Sequence, residues 1–310
     1  MGADFYRLMP VGLQISLILP NFDPRLTLKN IMLKESTTAP LSVLMSVYAG
    51  NRPEHLCQSL DSVFGQSIKA QEVILVEDGL LKPELYDVIA RFSTQHPELK
   101  IIKLKENVGL GRALNEGLKH CNNELVARMD ADDICFPDRF EKQLKVFADH
   151  PKVSVVSGWV SEFNTSPATP TSIRYLPENH HDIYNYGRLR CPVNHPAAIY
   201  RKSAVIRVGG YPPKTLFEDY MLWVKLLING ERFYNVQEPV LHFRAGIDMY
   251  RRRGGFSYAV EEFQFQLDIH RLGYISLPRM LTNIAIRFTT RIIPLRLRAS
   301  IYHRFLRRKD

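Results

Sequence analysis

Leu41 to Tyr48 (LSVLMSVY), closed by Ala49-Gly50-Asn51, decides how the rest of the chain is read. The run is short, apolar at nearly every position and stopped by turn residues, as in a strand buried on both faces. A helix is expected next, with Pro53 in its first turn and Leu56, Leu60, Val63 and Phe64 on one face. The alternation then repeats. Glu72 to Val76, Ile101 to Leu104 and Leu125 to Met129 read as further strands. Leu85, Val88, Ile89 and Phe92, and then Leu110, Leu114 and Leu118, mark the helices between them. Such an order predicts an α/β fold, a Rossmann-like, mostly parallel sheet with helices on both faces.

In such sheets ligands bind at the carboxyl ends of the strands. The residues standing there are Tyr48 and Asn51, Glu77 and Asp78, Asn107, and finally Asp130, Asp132 and Asp133. Carboxylates gathered on one edge repel one another unless a cation or a substrate hydroxyl lies among them, so the edge is a candidate hard-metal site. Asp130 and Asp132 are two positions apart and share a face if extended. An acidic turn capping the helix after Pro137 is the alternative on these residues alone.

Farther along, residues 164–182 are polar and proline-rich and read as a long connection. Phe217 to Ile228 resumes a helix, Gly246 to Gly255 is a basic loop, and Phe256 to Leu272 is helical. Pro278 to Leu306 is expected to form two short amphipathic helices divided by Pro294. At 310 residues the chain has room for about two domains, or one large domain with an appendage. The expected division is an extension at 1–38, an α/β domain at 39–245 whose two halves divide near 135, and a basic helical region at 246–310.

The composition, 45% hydrophobic and 24% charged, argues against wholesale disorder and a polytopic membrane protein. Val11 to Leu19 is too short to span a bilayer, and no signal-peptide pattern is clear. Cys57, Cys121, Cys135 and Cys191 lie far apart without a CxxC pair, which points to a reducing compartment. The net charge is +9, from 41 basic and 32 acidic residues. Arg287 to Asp310 holds eight of the cations and one of the acids, so the body is nearly neutral. A nucleic-acid binder spreads positive charge over its working face, so no nucleic-acid partner is expected. A basic tail with Ile284, Phe288, Ile292, Leu297, Ile301, Tyr302 and Phe305 fits docking on an anionic membrane, the alternative being a helix packed on the body.

The ordered set SVLMSVY, EVILVEDG, NVGLGRALNEGL, ARMDADDICFPDR and FEDYMLWVKLL resembles glycosyltransferase family 2, inverting enzymes of the GT-A fold, over about Leu41 to Phe243. Bacterial enzymes that build exopolysaccharide and O-antigen units, the amylovoran type among them, are the nearest look. The resemblance implies a donor nucleotide held by Tyr48, Glu77, Asp78, Asn107 and Asp130. It implies a Mn²⁺ or Mg²⁺ ion on Asp132 with Asp133 behind it, and Asp219 as base beside Glu218. Trp223, one turn on, is either an acceptor wall or core. His195 sits where relatives place a substrate-side histidine, and is otherwise structural. Arg251, Arg252 and Arg253 beside Gly254-Gly255 form either a lid on the diphosphate or a solvated loop.

Asn107 to Gly111 mimics the start of a dinucleotide fingerprint, but Leu114 replaces the third glycine and the segment follows the third strand. The expected function is transfer of a sugar from a nucleotide sugar, UDP-linked, to a lipid-linked oligosaccharide at the cytoplasmic face of the membrane. The alternatives are a nucleotidyltransferase, which needs a glycine loop with lysine that Ala49 to Arg52 does not supply, and an inactive membrane-docked protein of the same fold.

Overall fold

The computed structural model describes residues 37–213, 216–245 and 255–292, with side chains in the last helix up to Arg287. Residues 1–36, the Arg251–Arg253 loop and the break at Pro294 lie outside the described residues. The chain runs β1 (Thr38–Val47), α1 (Pro53–Phe64), β2 (Lys69–Glu77), α2 (Pro83–Gln95), β3 (Leu99–Lys103), α3 (Leu110–His120) and β4 (Leu125–Asp130). It continues with β5 (Ile134–Cys135), α4 (Arg139–Asp149), β6 (Val153–Phe163), β7 (Ser172–Arg174), α5 (His180–Tyr186), β8 (Ile199–Arg201) and α6 (Lys202–Arg207). α7 (Glu218–Ile228), β9 (Arg232–Arg244), α8 (Phe256–Arg271) and α9 (Leu277–Ile292) complete it.

One sheet holds all nine strands, in the order β3-β2-β1-β4-β8-β6-β9-β5 with β7 on β6. β3, β2, β1 and β4 are mutually parallel. Beyond β4 the senses mix: β6 and β9 pair in parallel over most of their length, whereas the antiparallel pairs with β8, β5 and β7 are only two or three residues long. β1 shows why both faces are covered. Val43, Met45 and Val47 join the core under α1, α2 and α4, and Leu44 between them joins the core under α3 and α7. Each such side chain contributes about 1.5–3 kcal/mol when fully buried.

Three expectations are corrected. β1 begins at Thr38, so the end of the supposed extension already belongs to the sheet, with Lys69 N–H donating to Thr37 O. The connection at 164–182 contains β7 and the start of α5. The region from 277 to 292 is one helix that stops short of Pro294, as expected of the first of the two, but Ile284, expected on a membrane face, packs inward against the core.

α3 crosses the sheet closely because Gly117 has no side chain. A Cβ there would lie 2.5 Å from Leu44 Cδ1 and 2.6 Å from Val76 Cγ2. Gly117→Val is expected to cost about 1–3 kcal/mol through overpacking and to lower the thermal midpoint. An unchanged midpoint in differential scanning calorimetry would show that α3 does not press on β1 and β2 at this point.

Candidate active site

The carboxyl ends of the first strands are level, with Ser46 opposite Asp130 and Val47 opposite Glu77. After β1 the chain turns tightly: Tyr48 N–H donates to Asn51 Oδ1 at 2.9 Å and Asn51 N–H to Tyr48 O at 3.0 Å. The exposed Tyr48 ring lies over Gly50, where a Cβ would stand 2.3 Å from it. After β2, Glu77 and Asp78 are both buried. Burial pushes the Glu77 carboxyl up against the opposing pull of Lys103. Asp78 accepts N–H groups from Val108 at 2.7 Å and Gly109 at 3.1 Å, while Asn107 Nδ2 donates to Asp78 O at 3.3 Å. The Asp78 carboxylate therefore ties β2 to the turn that opens α3, where Gly109 takes φ +85°.

The acidic turn after β4 brings one carboxylate oxygen from each of Asp130, Asp132 and Asp133 within 4.8 Å of the others. Arg128, on the same face of β4 and fully buried, reaches Asp130 Oδ1 at 2.5 Å. Ser59 of α1 donates to Asp130 O at 2.8 Å. Arg244 at the end of β9 clasps the turn from the other side, its N–H donating to Asp133 Oδ1 and its Nε to Asp132 O, each at 2.9 Å. Its Nη2 continues to Gln58 Oε1 at 2.7 Å. Asp133 Oδ2 is buried without a hydrogen-bond partner. Burial, then Asp130, pushes Asp132 up to about 6. Burial, then Asp132 and Asp130, pushes Asp133 well above the usual carboxylate range. A buried orphan oxygen among three crowded carboxyls is a donor set that a hard divalent cation satisfies.

A second acidic pair lies close enough to this turn for Asp130 to act on Glu218. Glu218 and Asp219 open α7, where the helix dipole favours negative charge. Glu218 is pushed up to about 7 by burial, then by Asp219, with Arg128 lowering and Asp130 raising it further. The two acidic clusters therefore share one electrostatic neighbourhood across Arg128. Asp219 Oδ1 accepts Tyr220 N–H at 2.7 Å, and the Cys191 thiol donates to Oδ2 at 3.9 Å. Phe217, just ahead, has φ 61°, the one non-glycine positive φ among the described residues. Its ring packs on Tyr258 and Phe265 of α8, at 5.3 and 5.1 Å between centroids.

Two sequence candidates fall elsewhere. Trp223 is 0% exposed, packed against His195, Tyr200 and Phe233, so it is core and not an acceptor wall. His195 is buried, with Nε2 2.9 Å from Tyr211 Oη. Burial, reinforced by Arg128, holds its pKa well below the usual value, so the ring is neutral. Arg128 and Arg244 were not singled out by sequence reasoning. Arg128 had a signal, since it lies two positions before Asp130 in a strand and must share its face. Arg244 had none, because it meets the acidic turn only through the β5–β9 pairing.

A Rossmann-like sheet with an acidic turn after its fourth strand and a second carboxylate pair near it is the arrangement expected of a GT-A glycosyltransferase. A sequence model described as Glycosyl transferase family 2 matches residues 42–209. The chain is 37% identical over 271 residues to the UDP-Gal:alpha-D-GlcNAc-diphosphoundecaprenol beta-1,3-galactosyltransferase of Escherichia coli, covering 87% of this chain and 98% of that one. It is 36% identical over 266 residues to the amylovoran biosynthesis glycosyltransferase AmsE of Erwinia amylovora, covering 85% and 98%. Among solved structures, the mannosyltransferase PcManGT of Pyrobaculum calidifontis, in complex with GDP-Man and Mn²⁺, superposes with a TM-score of 0.56 at 20% identity, over 89% of this chain and 85% of that one. The chain belongs to glycosyl transferase family 2, which sets aside the nucleotidyltransferase alternative.

The raised carboxyls fix the sign of a pH effect. Asp132, Asp133 and Glu218 hold protons more tightly folded than unfolded, so without metal, stability falls as pH rises from about 4 to about 7. Mn²⁺ is expected to raise the thermal midpoint more at pH 7 than at pH 5, and Asp132→Asn to diminish that increment. A midpoint indifferent to Mn²⁺ at pH 7 would remove the cluster as a cation site.

Proposed function

We propose that this enzyme transfers a sugar, with inversion, from a UDP-linked donor to a hydroxyl of a lipid-linked oligosaccharide in bacterial surface polysaccharide synthesis, working on the cytoplasmic face of the membrane. The observation that carries the reading is that Glu218, beside Asp219 at the start of α7, shares the electrostatic neighbourhood of Asp130 and Arg128. Support for the substrates comes from the relatives, one of which is named for a UDP-sugar donor and a diphosphoundecaprenol acceptor. Among the described residues no helix is long and apolar enough to cross a membrane, so residues 246–310 are proposed as the peripheral contact of the catalytic domain at 39–245.

In this reading Tyr48, Glu77, Asp78, Asn107 and Asp130 form the nucleotide side of the cleft. Asp78 acts by fixing the Asn107–Gly109 turn, since each of its carboxylate oxygens accepts a backbone N–H. Asp132, with Asp130 and Asp133 beside it, would hold Mn²⁺ or Mg²⁺, which when bound offsets charge on the departing diphosphate. Asp219 accepts the proton of the attacking hydroxyl as its oxygen bonds to the anomeric carbon and the bond to the diphosphate oxygen breaks. One displacement from the opposite face inverts that carbon. Glu218 supports Asp219, and neutral His195, paired with Tyr211, is buried near Arg128.

Asp219→Asn is expected to reduce transfer by about 10²–10⁴-fold while donor affinity changes little. The assay is nucleoside diphosphate release from a panel of nucleotide sugars with a lipid-linked acceptor, in Mn²⁺ and in Mg²⁺. Near-normal turnover by this variant would dismiss Asp219 as the base. Asp132→Ala is expected to abolish the metal dependence of donor binding measured by calorimetry, and an unaltered metal titration would count against its role.

A further inference from the structure

α8 and α9 carry apolar side chains on their outer surface as well as their inner one. Phe256, Val260 and Phe263 follow one another at helical spacing along α8, and Leu277, Leu281 and Ile286 stand outward on α9. All six are 43–72% exposed. The opposite faces, through Phe265, Ile269 and Met280, are already in the core. Phe263 and Ile284 line one groove between the helices. Ile284 lies one turn beyond Leu281 and two beyond Leu277, so the α8 stripe and these two leucines flank the same groove. A hairpin facing only water keeps charge on its outer surface, and an apolar exterior of this extent marks a contact.

The charge nearby is positive. Where α8 turns into α9 lies a cavity of about 370 Å³ lined by Arg188, Gly273, Tyr274, Ile275, Ser276 and Arg279, with no acidic side chain among them. The Arg188 guanidinium is set over the Tyr184 ring, 5.0 Å from its centroid. Two such faces brought together would oppose like charges, which disfavours a second copy as the occupant.

We infer that the outer face of the α8–α9 hairpin docks on an anionic phospholipid bilayer, its apolar side chains entering the headgroup boundary while Arg188 and Arg279 receive a lipid phosphate in the cavity. The inference rests on the lipid-linked acceptor proposed above and names the surface that meets the lipid. Position supports it. Asn283 Nδ2 of α9 donates to Arg188 O at 2.9 Å and the Arg287 guanidinium to Leu189 O. At the ends of this same loop Tyr220 Oη donates to Gly187 O at 2.7 Å, and the Cys191 thiol reaches Asp219. One short loop thus joins the docking helix to the proposed base, so a sugar carried on a lipid is delivered beside it.

The test is sedimentation of the full chain with phosphatidylcholine vesicles, with and without phosphatidylglycerol. Wild type is expected to bind the anionic vesicles. Val260→Glu/Leu281→Glu and Arg188→Ala/Arg279→Ala are each expected to weaken binding on the order of tenfold. Both apolar positions are exposed, and an unchanged thermal midpoint confirms folding. Val260→Ser/Leu281→Ser repeats the test without added charge. Full binding by these variants, with loss only on removing 293–310, would transfer docking to the tail and overturn the inference. Equal binding to uncharged vesicles would overturn the role of the cations. A wild-type dimer on gel filtration that Val260→Glu/Leu281→Glu dissociates would give the face to a second copy. The vesicles contain no acceptor, so failure of the acceptor reading is detected separately, by transfer to a water-soluble sugar diphosphate.

Discussion

Repulsion among carboxylates at one edge of the sheet is the constraint around which this structure is arranged. Asp130, Asp132, Asp133 and Glu218 meet there with Arg128 as the buried counter-charge between them. The cost is visible by contrast with Glu72, farther back on β2. Burial raises that carboxyl too, but Lys100, Ser42 and Asn122 hydrogen-bond to it and hold it down to about 2. Glu72 is a satisfied structural acid. The carboxyl-edge acids lack that satisfaction, and Asp133 Oδ2 has no partner at all. The protein holds them in place with backbone and cation contacts from opposite sides, through Ser59 on α1 and Arg244 on β9.

That arrangement explains why the sheet mixes strand senses beyond β4. A parallel β-α-β series places its chemistry on one edge, but Arg244 reaches the acidic turn only because β9 pairs antiparallel to the two-residue β5. β8 inserts antiparallel between β4 and β6 and seats the His195–Ala197 turn behind Arg128. Arg139 stiffens the same place from within: fully buried, it donates to Arg128 O at 2.8 Å.

The first half of the fold was legible because its strands are apolar on both faces and its helices repeat on one side, so local pattern and tertiary burial agree. β6 and β9 were not assigned from the sequence, since polar residues such as Glu162 and Asn235 interrupt them and find their hydrogen-bond partners outside their own strands. The acidic turn and the Glu218–Asp219 pair were visible as residues, and their shared neighbourhood became visible only when β4 and α7 were folded together. Trp223 misled for a physical reason: it neighbours the acidic pair along the helix yet belongs to its buried face, and spacing from a site says nothing about which way a helix turns a side chain. The docking hairpin was half legible. Cations and apolar residues were evident, but which apolar residues point inward depends on α8.

Phe217 links these parts. A phenylalanine held in the left-handed region costs roughly 1–2 kcal/mol, and here the compensation comes from aromatic packing against α8. The pivot two residues before Asp219 is thus cocked like a sprung latch whose catch belongs to the peripheral hairpin. Fraying of that hairpin would register at Glu218 and Asp219 before the central strands sensed it, which gives α8 a direct hold on the acidic pair.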